Sequence, residues 1–174
     1  MTVPDTLVTE RLTARPLTGA DVDPWMEFML GEGSLDLLPF VGPTREGAQW
    51  WIERQLGRYE RDGHGLMALV TRTDGDLAGQ AGLLTQEVEG RSELEVGYHL
   101  MPRFRGVGLA TEAARGFIEF ALETGMAESV VSIIHVDNAA SQRVARRNGM
   151  DCERGIEAYG APHLLYRTGP AWER

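Results

Sequence analysis

A mixed α/β fold, with a mostly antiparallel sheet flanked by helices, is predicted by three features of this 174-residue chain. Residues 66–100 hold three strand-like runs separated only by short turn signals, the pattern of an antiparallel meander. Two long helical runs, Thr44–Asp62 and Leu109–Glu123, interrupt the strands. A β-branched run, Ser129–His135, lies between helical segments and suits a central strand. The resulting order is β-α-α-β-β-β-α-β-α-β-β. The length suits one well-buried domain spanning residues 1–174.

Thr9–Leu17 alternates and reads as the first strand. Thr18 then opens a helix, with Asp21 three residues on. Trp25, Phe28 and Met29 fall at i, i+3 and i+4 and form a core stripe, and Gly31 and Gly33 end the helix. Residues 32–43 are loop-like, and their apolar Leu37-Leu38-Pro39-Phe40 suits the wall of a pocket. The second helix carries Trp50, Trp51, Leu56 and Tyr59. Adjacent tryptophans cannot share one helix face. One of them therefore meets something besides the main core: the preceding loop, the substrate side, or a partner subunit in a homodimer.

Leu66–Val70 is the next strand, followed by the Asp74-Gly75 turn. Leu77–Gln86 comes after it, with Gly79 and Gly82 inside, then the Glu89-Gly90 turn and the strand Glu93–Leu100. After the Leu109 helix and the Ser129 strand, Asp137-Asn138 caps a helix from Ala139 to about Asn148, stopped by Gly149. Two weaker strands close the chain, Met150–Glu157 and His163–Thr168.

The net charge of −9 argues against nucleic-acid binding. No apolar run is long enough to span a bilayer. The first five residues lack the basic and apolar regions of a signal peptide. A lone Cys152 allows no internal disulfide and is read as a core residue; cytoplasm is the plain location. The segment Arg103–Arg147 holds six Arg against five carboxylates, so the acidic excess lies in the rest of the chain. That distribution suits a polyanionic ligand at the segment and a cationic partner elsewhere, or simply a solubilising surface.

The chemistry centres on residues 93–149. A strand, the glycine-rich turn Met101–Gly108 and the start of the Leu109 helix make an anion site. Gly106 and Gly108 let the backbone approach, and the N–H groups of Leu109, Ala110 and Thr111 are free at the helix start. Arg103 and Arg105 add charge at the same mouth. A Walker A loop needs Gly-Lys-Ser/Thr, and this chain contains no lysine: its 17 basic residues are all Arg. Gly106-x-Gly108-x-x-Thr111 is also a poor dinucleotide fingerprint.

Three motifs in order resemble the RimJ/RimL-type branch of the GNAT superfamily of acetyltransferases. They are Thr9-Glu10-Arg11-Leu12-x-x-Arg15-Pro16-Leu17, then Glu95-Val96-Gly97-Tyr98 with Arg105-Gly106-Val107-Gly108-Leu109-Ala110-Thr111-Glu112-Ala113, then Asn138-Ala139-Ala140-Ser141 through Asn148-Gly149-Met150. The last departs from the usual Leu-Gly-Phe. The resemblance covers nearly the whole chain. It implies a GNAT-like sheet and acetyl-CoA as cosubstrate, with no metal, and a protein N-terminus or small cationic amine as acceptor. The pyrophosphate would sit on Arg103, Arg105, Gly106, Val107, Gly108, Leu109, Ala110 and Thr111. Asn138 would bond the pantetheine arm, and Arg143, with Arg146 and Arg147, would meet the adenosine phosphate.

An alkyl amine is almost wholly protonated at pH 7, so transfer needs a base. The resemblance gives that role to Glu95, and a proton-donor role to Ser141. A backbone N–H on the Val96–Leu100 strand, whose Val96, Gly97 and Tyr98 would meet the cosubstrate, would stabilise the thioester oxygen, with a bulge at Gly97 freeing it. His135 reads as a strand-end residue. The competing reading is a catalytically silent acyl-CoA-binding regulatory module, which would not need Glu95.

Overall fold

The computed structural model describes residues 6–38 and 41–169. The readings for residues 1–5 and for Pro39 and Phe40 lie outside the described residues. Eight strands form one sheet: β1 Leu7–Val8, β2 Leu12–Arg15, β3 Leu66–Thr71, β4 Leu77–Val88, β5 Arg91–Leu100, β6 Val131–His135, β7 Met150–Ala158 and β8 Ala161–Thr168. Their spatial order is β1-β2-β3-β4-β5-β6-β8-β7. Every pairing is antiparallel except β5 with β6. The helices are α1 Val22–Met29, α2 Arg45–Asp62, α3 Leu109–Glu123 and α4 Ala139–Arg147. This is the mixed, antiparallel-dominated sheet expected from the sequence.

The first strand differs from its expected form. It breaks into β1 and β2, which pair with each other as a short hairpin, Leu7 opposite Ala14. The reason is a distant carboxylate: Glu112 accepts from the Thr9 hydroxyl at 2.6 Å and from the Arg11 N–H at 2.7 Å, bending the chain between them.

Core burial follows the two periodicities. On β3, Met67 and Leu69 face one side and Leu66 and Ala68 the other, so this central strand is apolar throughout. The first side packs on α3 through Ala113, Phe117 and Ile118. The second packs on α1 and α2 through Trp25, Phe28, Met29, Trp51 and Ile52. Each such large side chain contributes about 1.5–3 kcal/mol by leaving water. The tryptophan pair divides as helical geometry requires. Trp51 is buried, donating its indole N–H to Gln80 at 2.9 Å, whereas Trp50 is exposed beneath the Arg54 guanidinium. No helix among the described residues is long and apolar enough to cross a membrane.

The parallel contact positions everything that follows. β5 and β6 share a single register pair, Glu95 with Val131. Beyond it the two strands splay, and the sheet opens into a cleft.

Candidate active site

The cleft is a cavity of ≈660 Å³ lined by β5 from Glu95 to Leu100, by β6 from Ser132 to His135, and by parts of α2, α3 and α4. Its backbone edge can be read from one bond. The Val96 carbonyl accepts from the Ser132 hydroxyl at 3.2 Å, so it faces β6. By strand alternation the Tyr98 N–H points the same way, past the last paired residue. The expected bulge at Gly97 is absent: β4 and β5 pair without a register shift from Gly79–Leu100 to Val88–Arg91. The free edge comes from the splay of the parallel pair instead, which needs no extra residue.

The anion end is built by the turn before α3. Gly106 and Gly108 have φ of +80° and +88°, a region side-chain-bearing residues enter at a cost of roughly 1–2 kcal/mol. Gly108 is the N-cap of α3 and offers no capping side chain, so the first N–H groups of the helix stay open. The Thr111 hydroxyl is buried, lines the cavity, and has no hydrogen-bond partner among the described residues. Arg143 and Arg147 line the same cavity from α4.

Several predicted phosphate contacts are corrected here. Arg103 is outside the lining; Glu27 at 3.0 Å and Asp76 at 2.6 Å pair with it on the surface. The Val107 side chain is also outside the lining and exposed, while its carbonyl accepts from Arg11 at 2.9 Å. Arg105 does line the cavity. Its guanidinium, however, donates to the carbonyls of Leu100 and Glu32 and to the Ser34 hydroxyl, tying the loop after α1 to the end of β5. Arg146 turns inward, donating to the Tyr166 hydroxyl at 2.9 Å. The remaining predicted contacts, Val96, Gly97, Tyr98, Gly106, Gly108, Leu109, Ala110, Thr111, Asn138 and Arg143, line one cavity together with Glu95 and Ser141.

Glu95 is buried at the head of the splay. Its carboxylate accepts from the Gln86 amide at 2.7 Å and from the Ile133 N–H at 3.2 Å. Burial pushes its pKa above the ordinary carboxylate value, opposed by those two donors and by the charge of Arg58. Asn138 caps α4 by accepting from the Ser141 N–H at 3.0 Å. The Ser141 carbonyl accepts from the Tyr98 hydroxyl at 3.0 Å. Burial raises the Tyr98 pKa, so its proton is firmly held at neutral pH. His135 lines the cavity, and its Nδ1 accepts from the Asp137 N–H at 3.1 Å. Cys152, read as core, is exposed on β7.

Sequence reasoning missed the wall opposite the phosphate end. Arg54, Gln55 and Arg58 of α2 line the cavity, as do Tyr159 and His163 around the β7–β8 hairpin. Tyr159 sits in that hairpin's turn at φ +53°. Glu95 is the one carboxylate among the described lining residues, against five arginines. The acidic excess of the chain is therefore not in this cavity, and the expected link between acidity and a cationic acceptor is not matched by the lining. One signal was available: Gln55 and Arg58 fall on the same helical stripe as Ala48, Trp51 and Ile52, where a core helix would be apolar.

Comparisons with known proteins agree with this architecture. The family profile described as "Acetyltransferase (GNAT) domain" matches residues 11–151. The uncharacterized protein YkkB of Bacillus subtilis is 28% identical over 165 residues, covering 92% of this chain and 93% of its own. An acetyltransferase crystal structure from Agrobacterium tumefaciens shares 30% identity, with a TM-score of 0.77 over 97% of this chain and 96% of that one. RimL, a ribosomal alpha-N-protein acetyltransferase solved in complex with coenzyme A, has the same fold, with a TM-score of 0.76 over 93% of this chain and 96% of that one at 20% identity. With the splayed β5–β6 pair, the open α3 N-terminus and a family match over most of its length, this chain belongs to the GNAT acetyltransferase domain family.

Proposed function

We propose that the chain, acting as one domain over residues 1–174, is an acetyl-CoA-dependent N-acetyltransferase of the RimJ/RimL-type branch that works in the cytoplasm on a primary amine. The amine belongs to a protein N-terminus or to a small molecule. The observation that carries this reading is the placement of a buried carboxylate, Glu95, at the head of the same cleft whose far end is an open helix N-terminus.

The fit to the cosubstrate rests on unmet donors. The N–H groups of Leu109, Ala110 and Thr111, with the partnerless Thr111 hydroxyl, suit a pyrophosphate, and Arg143 and Arg147 suit a further phosphate. The free edge of β5 and Asn138 would hold the pantetheine arm, leading toward Glu95. Acetyl-CoA supplies an activated acetyl group, and the chain arranges its transfer. Glu95, directly or through one water, takes a proton from the ammonium of the acceptor. The freed nitrogen attacks the thioester carbon; a C–N bond forms and the C–S bond breaks. The Tyr98 N–H is placed to stabilise the charge that gathers on the carbonyl oxygen. The nitrogen then gives up its second proton, which passes by relay through Ser141 to the departing thiolate, whose conjugate acid has a pKa of about 8.5. A silent acyl-CoA sensor would not need a desolvated, hydrogen-bonded carboxylate at this point.

Two measurements test the reading. Calorimetric titration should show stoichiometric acetyl-CoA binding, and a thiol-release assay with a panel of primary amines should show acceptor-dependent turnover. Binding without turnover on any amine would favour the sensor, and absence of binding would remove the cofactor assignment.

A further inference from the structure

Arg58 is a buried cation that the reaction outlined above does not use. It is 8% exposed and lines the cavity from α2. Among the described residues its one side-chain hydrogen bond is to the Gln55 amide oxygen, at 3.4 Å. Among the described residues no carboxylate lies within 4.0 Å of it, whereas Arg11, Arg15, Arg103, Arg154 and Arg167 all have such a partner. Gln55 is itself fixed, since its oxygen also accepts the Leu66 N–H at 3.1 Å. Buried charges are ordinarily paired, because a desolvated ion with no counter-charge is costly. An arginine held this way and facing a cavity is suited to an anion that arrives with the ligand.

That anion is not the cosubstrate phosphate. Leu66, to which Gln55 is bonded, pairs with Gly82, and Gly82 pairs with Gly97. Arg58 therefore stands at the Glu95–Gly97 level of the cleft. Leu100, where the anion loop departs, lies three residues beyond Gly97 along β5, about 10 Å at the usual strand rise. Glu95 and Arg58 each feel the other's charge, yet they are not an ion pair. Arg54, one turn earlier, adds positive charge to the same wall.

Resting on the acetyltransferase reading, we infer that the acceptor carries a carboxylate near its amine, the amine facing Glu95 and the carboxylate bound by Arg58. A carboxylate matches the planar guanidinium fork, and a second cation such as a polyamine would be repelled by Arg54 and Arg58. The same group can come from a free amino acid or from an acidic side chain near a peptide N-terminus.

Matched acceptor pairs decide between outcomes. Free amino acids are compared with their primary amides, and short peptides with Asp or Glu at the second position with their Asn or Gln counterparts, with spermidine as a cationic control. In the wild type, acids should exceed their amides about 10- to 100-fold in kcat/KM. Arg58→Gln should bring that ratio toward one, and Arg58→Lys should restore part of it, with KM for acetyl-CoA unchanged in both. Preference within the amino-acid pairs alone, or within the peptide pairs alone, identifies the source of the carboxylate. Amides or spermidine used as well as acids, a ratio that survives Arg58→Gln, or no turnover of any acid would overturn the proposal. Acetyl-CoA binding, measured on the same samples, shows whether the variants are folded. Its loss in the wild type would remove the cofactor assignment instead.

Discussion

Arg11 and Glu112, 101 residues apart, hold the N-terminal hairpin to the anion loop. The Arg11 Nε donates to one carboxylate oxygen at 2.6 Å and its backbone N–H to the other at 2.7 Å, where the Thr9 hydroxyl also donates. Its Nη1 reaches the Val107 carbonyl at 2.9 Å, between the two glycines that shape the loop. The Thr9-Glu10-Arg11 motif and the Gly-rich motif are thus one device, in which a surface arginine fixes the backbone that presents the α3 N–H groups.

Glu112→Gln should therefore loosen the loop without touching the cavity. Burial alone would raise the Glu112 pKa, but the Thr9 hydroxyl and both donors of Arg11 hold it below the usual value. Gln still accepts but is uncharged, so about 1–3 kcal/mol of stability should go, together with about tenfold in acetyl-CoA affinity. Thermal melts and titration read the two effects. Because the folded pKa is depressed, the wild-type contribution is complete above the ordinary glutamate pKa and fades as pH falls below it. The variant should lack that acid-side loss.

Glu95→Gln should lower turnover about 10²–10⁴-fold while leaving acetyl-CoA binding intact. Gln keeps the shape and can still meet the Ile133 N–H, but it cannot take a proton. The deficit should shrink as pH rises, since more acceptor is then already neutral. In the wild type, the raised Glu95 pKa places the acid limb of the rate profile above the usual carboxylate range. Wild-type turnover in the variant at neutral pH would put the base elsewhere; loss of cosubstrate affinity would make Glu95 a structural residue.

His99 should make stability depend on pH. Its ring meets Phe28 and Trp51 edge-on, and burial draws its pKa down to about 4. The unfolded chain binds that proton near pH 6.5 and the folded chain only near 4, so acid favours unfolding between those values. Stability should fall across that window by about 1–3 kcal/mol from this group, then level off for it. Denaturant midpoints for His99→Phe, measured from pH 7 to pH 4, should lack that slope; an unchanged slope would assign it to the carboxylates alone.

The element order, the hairpin turns and the anion loop were legible in the sequence because each depends on neighbours. Helical spacing of Trp25, Phe28 and Met29, the Asp74-Gly75 turn, and Gly106 and Gly108 ahead of a helix are local requirements of backbone geometry. Glu95 and Ser141 were found through motif resemblance and come to line one cavity, though they lie on different elements. Which way a surface arginine points is a different kind of question. Arg103 and Arg105 are two residues apart in one loop, yet Glu27 and Asp76 draw the first away and Leu100, Glu32 and Ser34 hold the second at the cavity. Arg58 shares the helical stripe of Ala48, Trp51 and Ile52, but only the packing of α2 in the folded chain brings it to the cavity wall. The free backbone edge arises likewise from the splay of β5 and β6, which separate beyond Glu95 and Val131, and no residue at Gly97 announces it. Local geometry is written in short stretches of chain. The direction of a long charged side chain and the gap between two strands depend on partners tens of residues away, and these meet only when the sheet has closed around its core.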